Sequence, residues 1–580
     1  QNICFTAATT LDWIPGLSSP SQLLLELRLS SLPTSPGYSI TRQSDFPPLS
    51  SEPRFLSVTG VVLSATLPSE YTQSACFHCP VEGCSGRGSH YVRLHVAGSS
   101  EAATVRPSVH CHICSSPLTE DLSLRTIAHK MVVNVVPSHS LRNSLSTPSH
   151  RHQATPIIIR GELCEGVRVG GEYSVIGVPV HTLNESSSRA FVYTRLEANN
   201  VFHVGRASIS VDEAKAVLPA PVTDILSACS YSPWAFSATL AYSFAAEVVP
   251  PGAYHRLKLA LLLSLASSST PSPLHLLTVA TDTTPLPALL LYGSSLASRS
   301  TQLSSTSDLW GSNRSEGGEV VMEGGALVLA SGGVCVVGDT SRLKKDKLHR
   351  LQHSLEGRQV RLGVEGGARG VVTKTCPLSC SVWAFSPTQP SKALVDSVGV
   401  AVFCDPPTSG GADFLSELTT QHLLERARGS ATPPPLSHSH LQLLLSVVSG
   451  VQVSLSQSCQ SLLKSFYLAS RRLRSSGLHS CDMPLNSLDV MSGLAEAHAR
   501  LSLREEAGEE DGVMAILLYE ESLTCRYGNS VLHLVPSPHF TDTNLSAYLG
   551  RQFDEKMKIL HKHILQFSHS PSTLSLQPEE

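Results

Sequence analysis

The sequence predicts three architectures in tandem: a β-barrel, an α/β layer built around a parallel sheet, and a helical C-terminal part. Up to about residue 205 the apolar residues come in short runs broken by Pro, Gly and Ser, without helical segments between them. From about Arg206 apolar runs alternate with segments of helical periodicity, the pattern of a parallel sheet with covering helices. Beyond about residue 436 helical periodicity dominates.

In the first part, 55–65, 91–96, 130–136 and 156–163 read as strands. The stretch 157–180 places Gly170-Gly171 between two strands, the chemistry of a hairpin turn. The polar segment 137–152, with His139, Arg142, His150, Arg151 and His152, reads as a solvated loop. In the second part, 252–265 reads as a helix with Tyr254, Leu257, Leu261 and Leu265 on one face and Arg256 and Lys258 off it. Apolar runs at 274–280, 326–330, 334–337, 380–385 and 398–403 read as strands. The segment 341–357 reads as a helix that turns Leu343, Leu348, Leu351 and Leu355 inward and Lys344, Lys345 and Lys347 to water. Segments 296–320, 405–413 and 427–440, rich in Ser, Gly and Pro, read as loops. In the third part, 487–503 and 511–527 are helices, the first with Leu488, Met491, Leu494, Ala497 and Leu501 on one stripe. The expected units are 1–205, 206–435 and 436–568, with 569–580 a disordered polar tail.

A chain of 580 residues is long enough for roughly four structural units. Its 43 Lys and Arg stand against 47 Asp and Glu, so no global basic field draws it onto nucleic acid and any such contact must be local. The apolar stretches at 257–266 and 441–455 are too short, or too interrupted by Ser and Gln, to span a membrane, and no membrane partner is expected. Fifteen cysteines, an odd number spread thinly, point to a reducing compartment. The chain opens at Gln1 and is expected to lack its natural start, so targeting signals are not legible there.

Cys79, Cys84, Cys111 and Cys114 form C-x4-C, 26 intervening residues, then C-x2-C. Four thiolates at two tight turns suit a tetrahedral, closed, structural zinc site spanning about 76–116. Cys76 offers a second possible first pair, and His78, His110 and His112 stand close by as competing ligands.

The strand at 274–280 runs into Thr281-Asp282-Thr283-Thr284-Pro285, where a nucleotide-binding α/β domain places its phosphate loop. Such a loop needs glycines for close backbone approach, a Lys on the β- and γ-phosphates and a hydroxyl on Mg²⁺. This segment has neither Gly nor Lys, and no Gly-Lys pair occurs anywhere in the chain. The glycine-rich run 324–339 places its glycines before a strand, whereas a dinucleotide fingerprint opens a helix.

The run GALVLASGGVCVVGDTSRLKKDKLHRLQHSLEGRQVRL (325–362) resembles the Walker B region of the minichromosome maintenance (MCM) family. LAEAHARLSLREEAGEEDGVMAILLYEESL (494–523) resembles that family's C-terminal helical lid, and PPGAYHRLKLALLLSL (250–265) the helix entering its ATPase core. YLASRRLR (467–474) and KKDKL (344–348) are similar to a divergent, non-replicative branch. The resemblance implies an OB-fold barrel with a zinc ribbon, then an AAA+ ATPase-like domain with a helical lid. It also implies a role in meiotic recombination and double-strand break repair, with chromosome synapsis, in the nucleus. The implied partners are single-stranded or recombination-intermediate DNA and other MCM-like or meiotic recombination proteins. On the barrel, Arg93, Arg142 and Arg151 are the expected DNA contacts.

The departures from the family empty the nucleotide site. Val337-Gly338-Asp339 stands where the family has Asp-Glu, and Ser386-Pro387 where its sensor Asn follows the strand. The trans-acting Arg has no counterpart in 394–403, and the lid's sensor Arg falls on Asn486. Phosphoryl transfer depends on such cations and positioned polar groups, so neither ATP nor Mg²⁺ is expected as a cofactor. The leading reading is a non-catalytic DNA-associated scaffold. The alternatives are a helicase subunit completed by a partner, and a protein-interaction module that touches no nucleic acid.

Overall fold

Strand-length apolar runs with polar residues interposed bury one face, and the N-terminal strands do so by closing on themselves. The strands are β1 (Ser39–Ile40), β2 (Leu56–Thr66), β3 (Ser69–His78), β4 (Tyr91–Leu94), β5 (Thr119–Val136), β6 (Thr155–Arg160), β7 (Glu172–Asn184) and β8 (Phe191–His203). Five of them form a ring in the order β2-β7-β8-β6-β5, closed by pairing of β2 with β5 at Val61↔Val136. All neighbours in the ring are antiparallel except β6 and β8, which run parallel with Ile157 opposite Leu196. Closure leaves no unpaired edge in the ring, and its interior is filled by Leu56, Val58, Val133, Ile157, Ile159, Val175 and Leu196. The computed structural model describes residues 27–41, 45–48, 52, 54–88, 91–99, 101–105, 109–142, 153–184, 191–205, 208–303, 308–316, 319–362, 374–405, 411–430, 433–476, 483–527, 530–532 and 551–569.

The stretch 157–180 is not the hairpin its glycines suggest. β6 and β7 each pair with β8, which returns between them, and the turn at Gly170 serves another purpose. Gly170 has φ +81, and a β-carbon there would lie 2.3 Å from the carbonyl oxygen of Val328 in the next domain. β3 and β4 continue beyond the ring as an arm with its own small core of Ala75, Phe77, Cys79, Cys111 and Leu118.

The second part holds β9 (His275–Val279), β10 (Ser300–Gln302), β11 (Gly311–Glu316), β12 (Glu319–Gly324), β13 (Val334–Asp339), β14 (Gln359–Leu362), β15 (Lys374–Pro377), β16 (Ser381–Ser386) and β17 (Gly399–Phe403). Five of these make a parallel sheet in the order β10-β13-β16-β9-β17. Period-two alternation sends Val334, Val336, Trp383 and Phe385 to one core, shared with the helices His255–Ser267 and Leu286–Leu296. Cys335, Val337, Val382 and Ala384 go to a second core that is continuous with the barrel interior. The barrel and the α/β layer therefore share one core.

Three expectations in this part are corrected. Residues 326–330 form a helical turn, Ala326–Leu329, rather than a strand. The segment 296–320 is not wholly loop: it contributes β10 and β11, and the β11–β12 hairpin adds to the barrel sheet through Val321↔Thr66 and Met322↔Ala65. Pairing satisfies backbone groups that a loop would have to leave to water. Finally, Lys258, placed off the apolar face by the sequence pattern, is buried all the same, because the helix His255–Ser267 is enclosed and Lys258 is 0% exposed. Its Nζ donates to the carbonyls of Pro250 and Pro251 at 3.1 and 3.0 Å.

The C-terminal helices are His438–Val448, Gln457–Ser476, Ser487–Leu501, Glu509–Tyr527 and Arg551–His569. Met491, Leu494, Ala497 and Leu501 are buried along the expected stripe. Among the described residues no helix is long and apolar enough to cross a membrane. The expected tail beyond His569 and the DNA candidate Arg151 lie outside the described residues.

Candidate functional site

The carboxyl edge of the parallel sheet gathers the chain segments read as a phosphate site. Thr281 follows β9, Asp339 ends β13 and Ser386 ends β16, held together by Ala280 N–H donating to Ser386 O at 3.2 Å and Thr340 Oγ1 to Phe385 O at 3.3 Å. At this edge of such a sheet ligands ordinarily bind.

The donors of Thr281, Thr284 and Ser386 are already engaged. Thr281 donates both its N–H (2.6 Å) and its hydroxyl (2.8 Å) to Asp405 Oδ1. Thr284 does the same toward Asp282 Oδ1, at 2.9 and 2.6 Å. Asp339 accepts from the N–H and hydroxyl of Ser341, at 3.0 and 2.7 Å, and pairs with Arg342 Nε at 3.1 Å. The Ser386 hydroxyl donates to Thr388 O at 2.7 Å. Gly338, at φ +82, sits where β13 bulges against β16. Tyr254, beside this loop, has its phenol pushed up by burial and then by its neighbours Cys404, Asp282 and Asp405. The backbone N–H groups of Thr281 and Thr284 are capped by carboxylates, and the turn offers neither Lys nor Gly, so these residues do not fit a magnesium nucleotide.

Asp405 was not among the sequence candidates. It opens a segment read only as loop, and nothing local ties it to Thr281, 124 positions earlier. Asn486 is not at this edge. Its Nδ2 donates to Asp396 O at 3.0 Å, in a cleft of about 1070 Å³ that Arg358, Lys392 and Arg471 also line, at the opposite end of the sheet.

The cysteine arm builds a second site. The sulfurs of Cys79, Cys84, Cys111 and Cys114 lie within 4.8 Å of one another, with Cys79···Cys114 at 3.4 Å and Cys84···Cys111 at 3.8 Å. Tetrahedral coordination at about 2.3 Å requires sulfurs about 3.8 Å apart, so the donor set fits a zinc ion. The N–H and hydroxyl of Ser116 bring Cys114 down to about 6, and the N–H groups of Cys114 and Ile113 lower Cys111. At Cys79 the Val81 N–H favours the thiolate, but burial and the three neighbouring thiols prevail and push it up to about 12. A cation would relieve that repulsion. Cys76 is outside the cluster because it lies within β3, paired with Val92 and Asp121, whereas Cys79 follows the strand's end and can turn inward.

The DNA candidates do not converge. Arg93 sits on β4 beside Ala75, within the arm. Arg142 follows the opposite end of the 18-residue β5, and its Nε donates to Ala297 O at 3.2 Å, a contact with the α/β domain.

Comparison with known proteins adds an independent line. A family model described as the MCM P-loop domain matches residues 254–391. Minichromosome maintenance domain-containing protein 2 of Rattus norvegicus is 32% identical over 93% of this chain and 83% of its own length. The protein of that name from Homo sapiens is 31% identical over 100% and 89%. Similarity to the probable DNA helicase MCM9 of Arabidopsis thaliana is more limited, 26% identity over 36% of this chain and 34% of that protein.

Proposed function

The chain belongs to the minichromosome maintenance family, and from that premise we propose that it acts without ATP hydrolysis, as a DNA-associated scaffold in meiotic homologous recombination, double-strand break repair and chromosome synapsis. In this reading the closed five-strand ring is an OB-fold, because its order, with one parallel pair, is that of a five-strand Greek-key barrel. The four cysteines hold a structural zinc, the α/β layer is a degenerate AAA+ core, and the C-terminal helices are its lid. The meiotic and nuclear assignments rest on the likeness of YLASRRLR (467–474) and KKDKL (344–348) to the non-replicative branch.

One observation carries the non-catalytic reading. Asp405 and Asp282 occupy the donors of Thr281 and Thr284, where a phosphate loop presents free N–H groups. Neither Lys nor Gly is present in 281–285 to receive phosphate instead. Titration of the full chain with a fluorescent ATP analogue and Mg²⁺ tests this: no saturable signal is expected, and saturable binding that Asp405→Ala strengthens would refute it. Isolation of the chain from meiotic germ cells, with its partners identified, tests the process. Co-purification solely with cytoplasmic proteins unrelated to recombination would sink that assignment.

A further inference from the structure

Resting on the DNA-associated reading, we propose that the DNA contact is made by two packed lid helices, Gln457–Ser476 and Arg551–His569, and not by the barrel. The first carries four Lys or Arg and no acid, though one of the four, Arg474, is buried against Glu520 at 2.9 Å; the second carries four against two acids, on a chain whose net charge is −4. The helices meet through Phe466 and Phe567, ring centroids 5.9 Å apart.

Lys464, Arg471, Lys556, Lys558 and Lys562 are all exposed. None of them has a carboxylate partner among the described residues. One acid of the second helix, Asp554, accepts from Ser232 Oγ at 2.6 Å, which leaves Glu555 as its exposed acid. Three of the cations on the barrel side are spent on carboxylates: Arg125 pairs with Glu120, Lys130 with Glu101, and Arg160 with both Glu101 and Glu197. Charge left unpaired on an exposed surface is what binds a polyanion.

Spacing favours a nucleic acid backbone. Lys464 and Arg471 are two helical turns apart, about 10 Å, or about three phosphate steps of one strand. Lys558 and Lys562 are about 6 Å apart on one face. The side of Arg551–His569 that a membrane would need is taken, since Met557, Leu560 and Ile564 are buried against the protein. No fixed base-reading geometry is present in these flexible side chains, so the contact is with phosphates and is indifferent to sequence.

The test uses the full chain and fluorescein-labelled single-stranded and duplex oligonucleotides, with anisotropy followed across a potassium chloride series. A lid variant carries Lys464→Glu, Arg471→Glu, Lys558→Glu and Lys562→Glu; a barrel variant carries Arg93→Glu and Arg142→Glu. The lid variant is expected to bind at least about tenfold more weakly and to lose about 3 from the single-strand salt slope, at about 0.7 per phosphate contact. The barrel variant is expected to bind as the original chain does. Milder Lys→Gln changes at 464, 558 and 562 give an intermediate loss, which separates charge from folding damage if the reversals lower the melting temperature. Equal loss in the two variants, or loss in the barrel variant alone, overturns the lid assignment while leaving DNA association standing. No binding by the original chain overturns both. Displacement of DNA by polyglutamate at matched charge identifies an acidic-protein surface and overturns the proposal.

Discussion

The backbone N–H and the hydroxyl of Thr281 both end on a single carboxylate oxygen of Asp405, at 2.6 and 2.8 Å. A side chain from the end of β17 thus closes the turn after β9, and a phosphate approaching that turn meets a carboxylate where it needs a donor.

No single repair should restore hydrolysis. Steady-state phosphate release is expected to stay at the no-protein level for the original chain, for Asp405→Ala and for Gly338→Asp. The last change is also strained, since Gly338 has φ +82, and a side chain there costs roughly 1–2 kcal/mol. Asp339→Ala removes the acceptor for two groups of Ser341, and is expected to lower stability by about 1 kcal/mol while leaving phosphate release unchanged.

Metal analysis of the purified chain should give one zinc, with loss of zinc and a lowered melting temperature for Cys111→Ser. Coordination energy at a four-cysteine site is also folding energy, so the arm should unfold with the metal. Cys76→Ser, outside the cluster, is expected to keep the full zinc content.

Arg299 joins the two domains: its guanidinium, 6% exposed as a residue, donates to Gly170 O at 2.8 Å and to Glu172 at 2.7 Å. Arg299 is the buried partner and Glu172 is about a quarter exposed, so truncating Arg299 loses two charge-assisted hydrogen bonds and leaves a cavity. Arg299→Ala is expected to cost about 3 kcal/mol, with a coupling of about 1–3 kcal/mol to Glu172→Ala in a double-mutant cycle. Hydrogen exchange at β12 should quicken in the same variant; unchanged protection would show that the hairpin holds to the barrel without Arg299.

Burial lowers Lys258 to about 7. Between pH 7 and 10 the unfolded chain binds a proton there that the folded chain does not, so the penalty is full below pH 7 and fades as pH rises. Melting temperatures of the original chain should climb relative to Lys258→Met across that window, by up to about 1.4 kcal/mol of stability per pH unit. Parallel pH curves for the two proteins would show that the amine is solvated.

Periodicity, paired cysteines and missing residues were legible because they are local. A period of two or 3.6 reports one-sided burial, so the strands around Val61, Val336 and Trp383 and the helix stripe Met491 to Leu501 could be read directly. The four cysteines could be read because two tight turns constrain their own sulfurs, and the absent Lys of the phosphate loop needed no structure at all. What tertiary structure alone decided is which distant groups meet. Asp405 reaches Thr281 only because β17 lies beside β9, Lys258 is enclosed only because helices cover every side of its own, and β12 joins β2 only because the two domains share a core. Each depends on strand order and packing between segments far apart in the chain, and local side-chain chemistry carries no record of either.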